Sequence, residues 1–117
     1  MSTTLGAART VRLNDIGVVF TVTILEPDPA DPTELIVKDI SAATVLEIIL
    51  QKPNPDLTKV VKTAVFSTDG TDGKITFTSI AGDLDFAGRW SLEGEVTLPT
   101  GQFRSDRDRF DVEEIIE

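Results

Sequence analysis

Hydrophobic and polar residues alternate most clearly in the segment that carries the single tryptophan. Every second position is apolar or small (Trp90, Leu92, Gly94, Val96, Leu98), and the positions between them are polar. Because successive side chains of a strand point to opposite faces, this pattern predicts a strand with one buried and one solvated face. Pro99-Thr100-Gly101 predicts a turn, and the following residues, 102–104, predict the second strand of a hairpin.

Further short strands are predicted wherever β-branched or alternating apolar residues stand between turn signals. These strands cover residues 10–13, 18–25, 35–40, 44–51, 60–67, 74–78 and 110–115. Segment 44–51 also fits helical spacing, but its length and its Thr, Val and Ile content favour a strand. Two Asp-Gly pairs in Thr68–Gly73 predict that 60–67 and 74–78 form a hairpin or a tight corner.

The connecting segments and the inward positions complete the predicted architecture. Glu26–Thr33 contains three prolines and three acids, which predicts a solvated loop, and Ile80–Ala87 predicts one helical turn. The predicted core consists of Val18, Phe20, Val22, Ile24, Leu46, Ile48, Leu50, Ile75, Phe77, Leu84 and Trp90. The pattern predicts an all-β protein, an immunoglobulin-like β-sandwich of seven to eight antiparallel strands.

Length and composition limit the domain organisation and the available chemistry. At 117 residues we expect a flexible N-terminal arm (1–8) and one immunoglobulin-like domain (9–117), with no signal peptide. The chain has no cysteine, histidine or tyrosine, so thiolate, imidazole and phenol chemistry are excluded. A net charge of −9 disfavours nucleic acid and membranes as partners. We predict no enzymatic activity, no catalytic residues, no metal ligands and no cofactor.

Two groups of acids suggest chemistry, and each has a simpler interpretation. Loop aspartates could bind calcium, although Asp-Gly pairs are explained by turn geometry; they are Asp28, Asp31, Asp69, Asp72, Asp83 and Asp85. Glu93 and Glu95 lie on one predicted strand face, as paired carboxylates of a glycosidase would. Any exposed strand face shows the same spacing, so a solvated face is the favoured interpretation.

Two segments near the C-terminal end indicate contacts with other proteins. Arg104, Arg107 and Arg109 form the only basic cluster, and interleaved aspartates keep its net charge small. Such a cluster suits salt bridges across a protein interface better than phosphate binding. Ile115 and Ile116 add apolar surface that a neighbour could cover. These five residues are the candidate interface.

Short motifs of glycine, apolar and aromatic positions punctuate most of the chain. They are Gly73 with Ile75 and Phe77, Leu84 with Ala87 and Gly88, Trp90 with Leu92, Gly101 with Ser105, and Phe110 with Val112, and the first half adds Asn14–Gly17 and Ile40–Pro53. In these motifs the chain resembles the immunoglobulin-like domain at the N-terminus of tailed-phage baseplate upper proteins, most clearly over Gly73–Val112. The segment 26–33 departs from the family by being longer and richer in proline.

The resemblance implies a non-enzymatic structural protein of a tailed-phage virion. It would be made in the host cytoplasm and act as an adaptor or decoration module in the baseplate, tail tip or neck. Its expected partners are other virion proteins, including fibres, in a symmetric assembly with several copies. The alternative is a host-receptor or carbohydrate-binding module on the virion surface, for which an exposed Trp90 would be the stacking residue.

Overall fold

The computed structural model describes residues 10–53 and 57–114, and these residues form eleven strands and no helix. The strands are β1 (Thr10–Arg12), β2 (Val19–Thr23), β3 (Leu25–Asp28), β4 (Asp31–Val37), β5 (Val45–Gln51), β6 (Lys59–Thr63), β7 (Val65–Phe66), β8 (Lys74–Thr78), β9 (Gly88–Leu98), β10 (Gly101–Arg104) and β11 (Asp108–Glu113). The predicted fold class is confirmed, because the chain is an all-β, immunoglobulin-like sandwich. The strand count exceeds the prediction of seven to eight.

Two sheets form the sandwich, and a separate pair of strands extends from it. The large sheet has the order β1-β11-β9-β5-β6. β10 pairs with the C-terminal part of β9, and β11 pairs with its N-terminal part. The small sheet has the order β2-β8-β7. The remaining strands, β3 and β4, pair only with each other in an antiparallel ribbon. The strand pairs are antiparallel except β1–β11, which is parallel.

The core lies between the two sheets and is organised around a row of aromatic rings. Trp90 stacks on Phe110, Phe110 contacts Phe20, and Phe20 stacks on Phe77, with centroid distances of 5.8, 4.8 and 6.1 Å. The row therefore crosses from the large sheet to the small one. The indole Nε1 of Trp90 donates a hydrogen bond to the carbonyl oxygen of Phe86 at 2.8 Å. Every residue predicted for the core is buried or packs against the buried cluster.

The long strand β9 follows the predicted alternation along its whole length. Its inward positions, from Trp90 to Leu98, are buried, and its outward positions are half-buried or exposed. Gly94 lies at a point where the small sheet packs tightly against β9, since a Cβ there would collide with Cγ2 of Val22 and lie 3.2 Å from Cδ1 of Ile75. Ser105 fixes the backbone of Gly94 in place, because the amide of Gly94 donates a hydrogen bond to its Oγ at 2.8 Å.

The predicted hairpin of 60–67 with 74–78 is wrong in its first half. The chain changes sheets at Ala64, which is buried and donates its amide to the carbonyl of Leu46. Before Ala64 the chain belongs to β6 and pairs with β5, and after it the short β7 pairs with β8. The Asp-Gly turn therefore joins only β7 and β8. A continuous β-branched run gives no local sign of a change of sheet.

Two predictions for connecting segments also need correction. Glu26–Thr33 is not a loop, because most of it belongs to the ribbon and only the turn at its tip is irregular. Proline is compatible with this arrangement since each ribbon strand has one unpaired edge, where a missing N–H breaks no ladder. Ile80–Ala87 contains a turn closed by a bond from the amide of Asp83 to the carbonyl of Ile80, and it has no helix. Leu84 is buried beneath it, as predicted.

Candidate interaction surface

The outer face of the large sheet, opposite the core, is the broadest open strand surface of the described chain. The small sheet packs on one side of the large sheet, so outward side chains of five neighbouring strands lie in the open. The charged outward positions are Arg12, Lys59, Arg89, Arg104, Arg109, Glu47, Glu93, Glu95, Asp111 and Glu113. Their charges balance, whereas the whole chain carries −9. This face is therefore less acidic than the protein as a whole.

Arg104 is the centre of an ion-pair cluster on the outer face. Its guanidinium lies 3.0 Å from Glu93 and 2.7 Å from Glu95, whose side chains are 18% and 15% exposed. Glu47 stands directly across from Glu95 on β5, so a third carboxylate lies next to this pair. Like charges opposite each other destabilise a sheet unless a cation lies nearby. Arg104 thus forms ion pairs within the chain while its side chain remains 56% exposed, and its role at an interface stays a prediction.

The other two arginines of the predicted cluster are accessible as well and form fewer ion pairs than Arg104. Arg107 is exposed, with its Nε 3.9 Å from Glu93, and Arg109 is exposed on β11 and forms no ion pair within residues 10–53 and 57–114. Arg107 borders a shallow depression with Lys59 on its other side and Ile49 among its lining residues. The depression combines two cationic side chains and the carboxylate of Glu93 with an apolar surface. Ile115 and Ile116 lie outside the described residues.

Replacing Arg104 by glutamine is expected to destabilise the domain by about 1 kcal/mol at low salt, and by less at high salt. Glu93 and Glu95 would then lose their nearest cation, with Glu47 directly opposite Glu95, although partial exposure to water limits the effect. Urea unfolding at two salt concentrations measures the change. In an Arg104→Gln background, Glu95→Gln should recover part of the loss, and equal losses at both salt concentrations would contradict the electrostatic explanation.

The ribbon is the second exposed feature, and several of its apolar side chains are exposed. One face of the ribbon carries Leu25, Pro27, Leu35 and Val37, and every residue of β4 is exposed. Leu35 is 56% and Val37 43% exposed. The domain measures 53 × 27 × 23 Å, and its radius of gyration, 14.8 Å, exceeds the roughly 13 Å of a compact chain of this length. An extended shape of this kind fits a ribbon that projects from the sandwich.

The base of the ribbon is held firmly against the sandwich. The amide of Ile24 donates to the carbonyl of Gly73, and the amide of Lys38 donates to the carbonyl of Ile24. The ammonium of Lys38 lies 3.1 Å from Glu26 and 4.2 Å from the ring centroid of Phe103. The anchored base fixes the direction in which the ribbon leaves the sandwich. Sequence reasoning missed it because prolines were taken to exclude a strand.

The six loop aspartates proposed for calcium lie in two separate turns and two separate ion pairs. Asp28 and Asp31 bond to backbone and hydroxyl groups at the ribbon tip, and Asp69 and Asp72 do the same in the β7–β8 turn. Asp83 pairs with Lys62 at 2.5 Å and Asp85 with Lys52 at 3.0 Å. Within the described residues, no group of three or more potential metal ligands is present. Turn formation and ion pairing account for these aspartates.

Hydrogen bonds in the turns lower the pKa of Asp69. The Thr71 hydroxyl and then the Thr71 amide donate to its carboxylate, which favours the charged form. Because the folded pKa lies below the unfolded value of about 4, the stabilisation is complete above that value and is lost as the pH falls through the folded pKa. Thr71→Val should raise the pKa of Asp69 toward its ordinary value in an NMR titration. Thr33→Val, the matched control, should instead raise the pKa of Asp31, whose carboxylate bonds to Thr33.

Trp90 is fully buried, so it cannot serve as the exposed stacking residue of a carbohydrate site. Glu93 and Glu95, the alternative acid pair, are both bound by Arg104.

The described residues contain no helix of the length and apolar character that a membrane span requires.

Comparison with known proteins supports the fold. The sequence matches no protein-family model and no curated protein. The solved structure of CopC from Methylosinus trichosporium OB3b is similar, with a TM-score of 0.57 and 12% identity. The similarity covers 100% of this chain and 94% of the CopC chain. At this level of identity it shows a shared β-sandwich fold and nothing about activity.

Proposed function

We propose that this chain is a non-enzymatic structural module of a tailed-phage virion. It is an immunoglobulin-like adaptor or decoration domain in the baseplate, tail tip or neck, and it bridges neighbouring virion proteins. The motifs shared with the domain of baseplate upper proteins suggest the location. The observation that carries the bridging role is the ribbon, whose exposed apolar residues extend from a firmly anchored base.

Two features support contact with protein surfaces. Clustered exposed apolar side chains on a small domain mark sites that a partner covers, and β4 carries three consecutive ones, Leu35, Ile36 and Val37. The second feature is the outer face of the large sheet, where Val45 and Val61 are also exposed among balanced charges. An adaptor needs two contact surfaces, and this domain has a ribbon and an open sheet face.

Purified phage particles made from the genome that encodes this chain provide the test. Quantitative mass spectrometry should find the chain in several copies per particle, and cryo-electron microscopy should place a sandwich with a projecting ribbon in the tail region. Particles produced with Leu35→Lys should carry at least tenfold fewer copies than particles with Val65→Lys, a change at another exposed apolar position. Absence of the wild-type chain from purified particles would overturn the proposal.

A further inference from the structure

The ribbon and the outer face of the large sheet differ in charge. The ribbon and the residue that follows it carry four acids and one lysine, and that lysine is already paired with Glu26. The outer face has balanced charges on its strands, and Arg107 adds a further cation beside the depression. Arg104, Arg89 and, at a longer distance, Arg107 pair with acids on the face itself but stay more than half exposed, and Lys59 and Arg109 are exposed as well. The acidic surface and the accessible cations thus lie on different parts of one molecule.

Both surfaces also carry apolar side chains that a contact would cover. The ribbon presents Leu35 and Val37, and the outer face presents Val61, 54% exposed, and Val45, 42% exposed. Ile49 pairs with Val61 across β5 and β6 and lines the depression between Lys59 and Arg107. An apolar centre bordered by charged groups is the usual composition of a protein interface.

The dimensions of the two surfaces agree. The seven residues of β4 extend about 23 Å at about 3.3 Å per residue. The five neighbouring strands of the large sheet span about 24 Å at about 4.8 Å per strand. A ribbon laid across the outer face would therefore reach both the depression and the exposed valines.

We propose that the ribbon of one copy docks on the outer face of the large sheet of the next copy, in a head-to-tail arrangement. This inference rests on the proposed function, because it names a second copy of the chain as one of the bridged neighbours. Since two different surfaces meet, the contact is heterologous and produces a ring or an open row of copies. A ribbon-to-ribbon contact would instead bring two acidic surfaces together.

The contact is expected to be weak between two isolated copies. A ribbon about 23 Å long and about 10 Å wide covers roughly 230 Å² on each partner, against about 800 Å² in a standard interface. In a ring or on a scaffold, the remaining affinity comes from simultaneous contacts. The association should therefore become visible at high micromolar concentration, at about 0.15 M salt, where the long-range repulsion between acidic molecules is screened.

Sedimentation velocity of the purified chain between about 10 µM and 1 mM tests the proposal. Wild-type protein should sediment faster as its concentration rises. Leu35→Lys on the ribbon and Val61→Glu on the outer face should each lower the association constant at least tenfold. Val65→Glu alters a residue that is 62% exposed on the small sheet, and it should leave the association unchanged.

An equimolar mixture of the Leu35→Lys and Val61→Glu proteins distinguishes the head-to-tail contact from other contacts. The mixture should regain association, because the unaltered ribbon of one variant meets the unaltered face of the other. A Val61→Glu protein that associates like wild type would indicate ribbon-to-ribbon contact and overturn the proposal. Wild-type protein that stays monomeric up to 1 mM would also overturn it.

Cross-linking locates the contact directly, because the chain has no cysteine. Thr33→Cys, on the ribbon face that carries Leu35, mixed with Thr63→Cys, on the outer face, should form a mixed disulfide when an oxidant such as oxidised glutathione is added. Thr33→Cys mixed with Thr78→Cys, on the small sheet, should form at least tenfold less, and equal yields would overturn the proposal. Failure of these solution tests would leave the virion proposal intact, because that proposal depends on the chain's presence in particles.

Discussion

Replacing Trp90 by alanine is expected to destabilise the domain by about 3–5 kcal/mol, which is a large part of the total stability of a small domain. The side chain is fully buried and begins the aromatic row that joins the two sheets. Its removal leaves a cavity beside Phe110 and leaves the carbonyl of Phe86 without the indole donor. Urea unfolding followed by circular dichroism measures the loss, because the variant no longer has a tryptophan to report fluorescence.

Trp90→Phe is the matched control for this prediction. Phenylalanine keeps a ring beside Phe110 but cannot donate to the carbonyl of Phe86, so it should cost less than alanine. If both variants lose the same stability, the hydrogen bond to Phe86 would outweigh the packing. If alanine costs less than about 1 kcal/mol, Trp90 would not be a core residue.

Gly94→Ala is expected to destabilise the domain by about 1–3 kcal/mol, although it adds a single methyl group. The new methyl would collide with Val22, whose β-branched side chain has little freedom to rotate. The backbone cannot withdraw easily, because Ser105 binds the amide and the carbonyl of Gly94. Urea unfolding of the variant beside the wild type measures the effect.

A second substitution separates this crowding from other effects of alanine. Val22→Ala opens space opposite Gly94, so the double variant should be more stable than the sum of the two single losses predicts. Ser91→Ala, an outward position on the same strand, should change the free energy of unfolding by less than about 0.5 kcal/mol. Simple additivity in the double variant would mean that the two residues do not compete for space.

The alternation of apolar and polar residues identified the strands that bury one face and expose the other. The alternation in β9 could be predicted because the same strand buries one face and exposes the other along eleven residues. The strand assignment of 44–51 was confirmed for the same reason, since Ile48 and Leu50 point into the core. Period-two alternation is a local signal, so it predicts a strand and its buried face without information on neighbours.

The features that sequence reasoning missed depend on which strands lie beside each other. The change of sheet at Ala64 is invisible locally, because β6 and β7 are parts of one β-branched run. The ribbon was predicted as a loop because its three prolines exclude a central strand. Proline is compatible with a strand that has a neighbour on one side only, as each ribbon strand does. The carboxylates held by Arg104 come from β9, and the proximity of Glu47 follows from the register of β5 against β9. Such a site can be recognised only when the order and register of the strands are known.

The parallel pairing of β1 with β11 affects how the domain folds during its synthesis. Thr10 pairs with Asp111, a residue about 100 positions later in the chain. Translation proceeds at about 5–20 residues per second, so β1 waits several seconds on the ribosome before its partner strand exists. Contacts between such distant segments also fold slowly, because closing the long intervening loop costs entropy before the pairing is gained. The edge strand β1 is therefore completed last, after the rest of the sandwich has a surface to receive it.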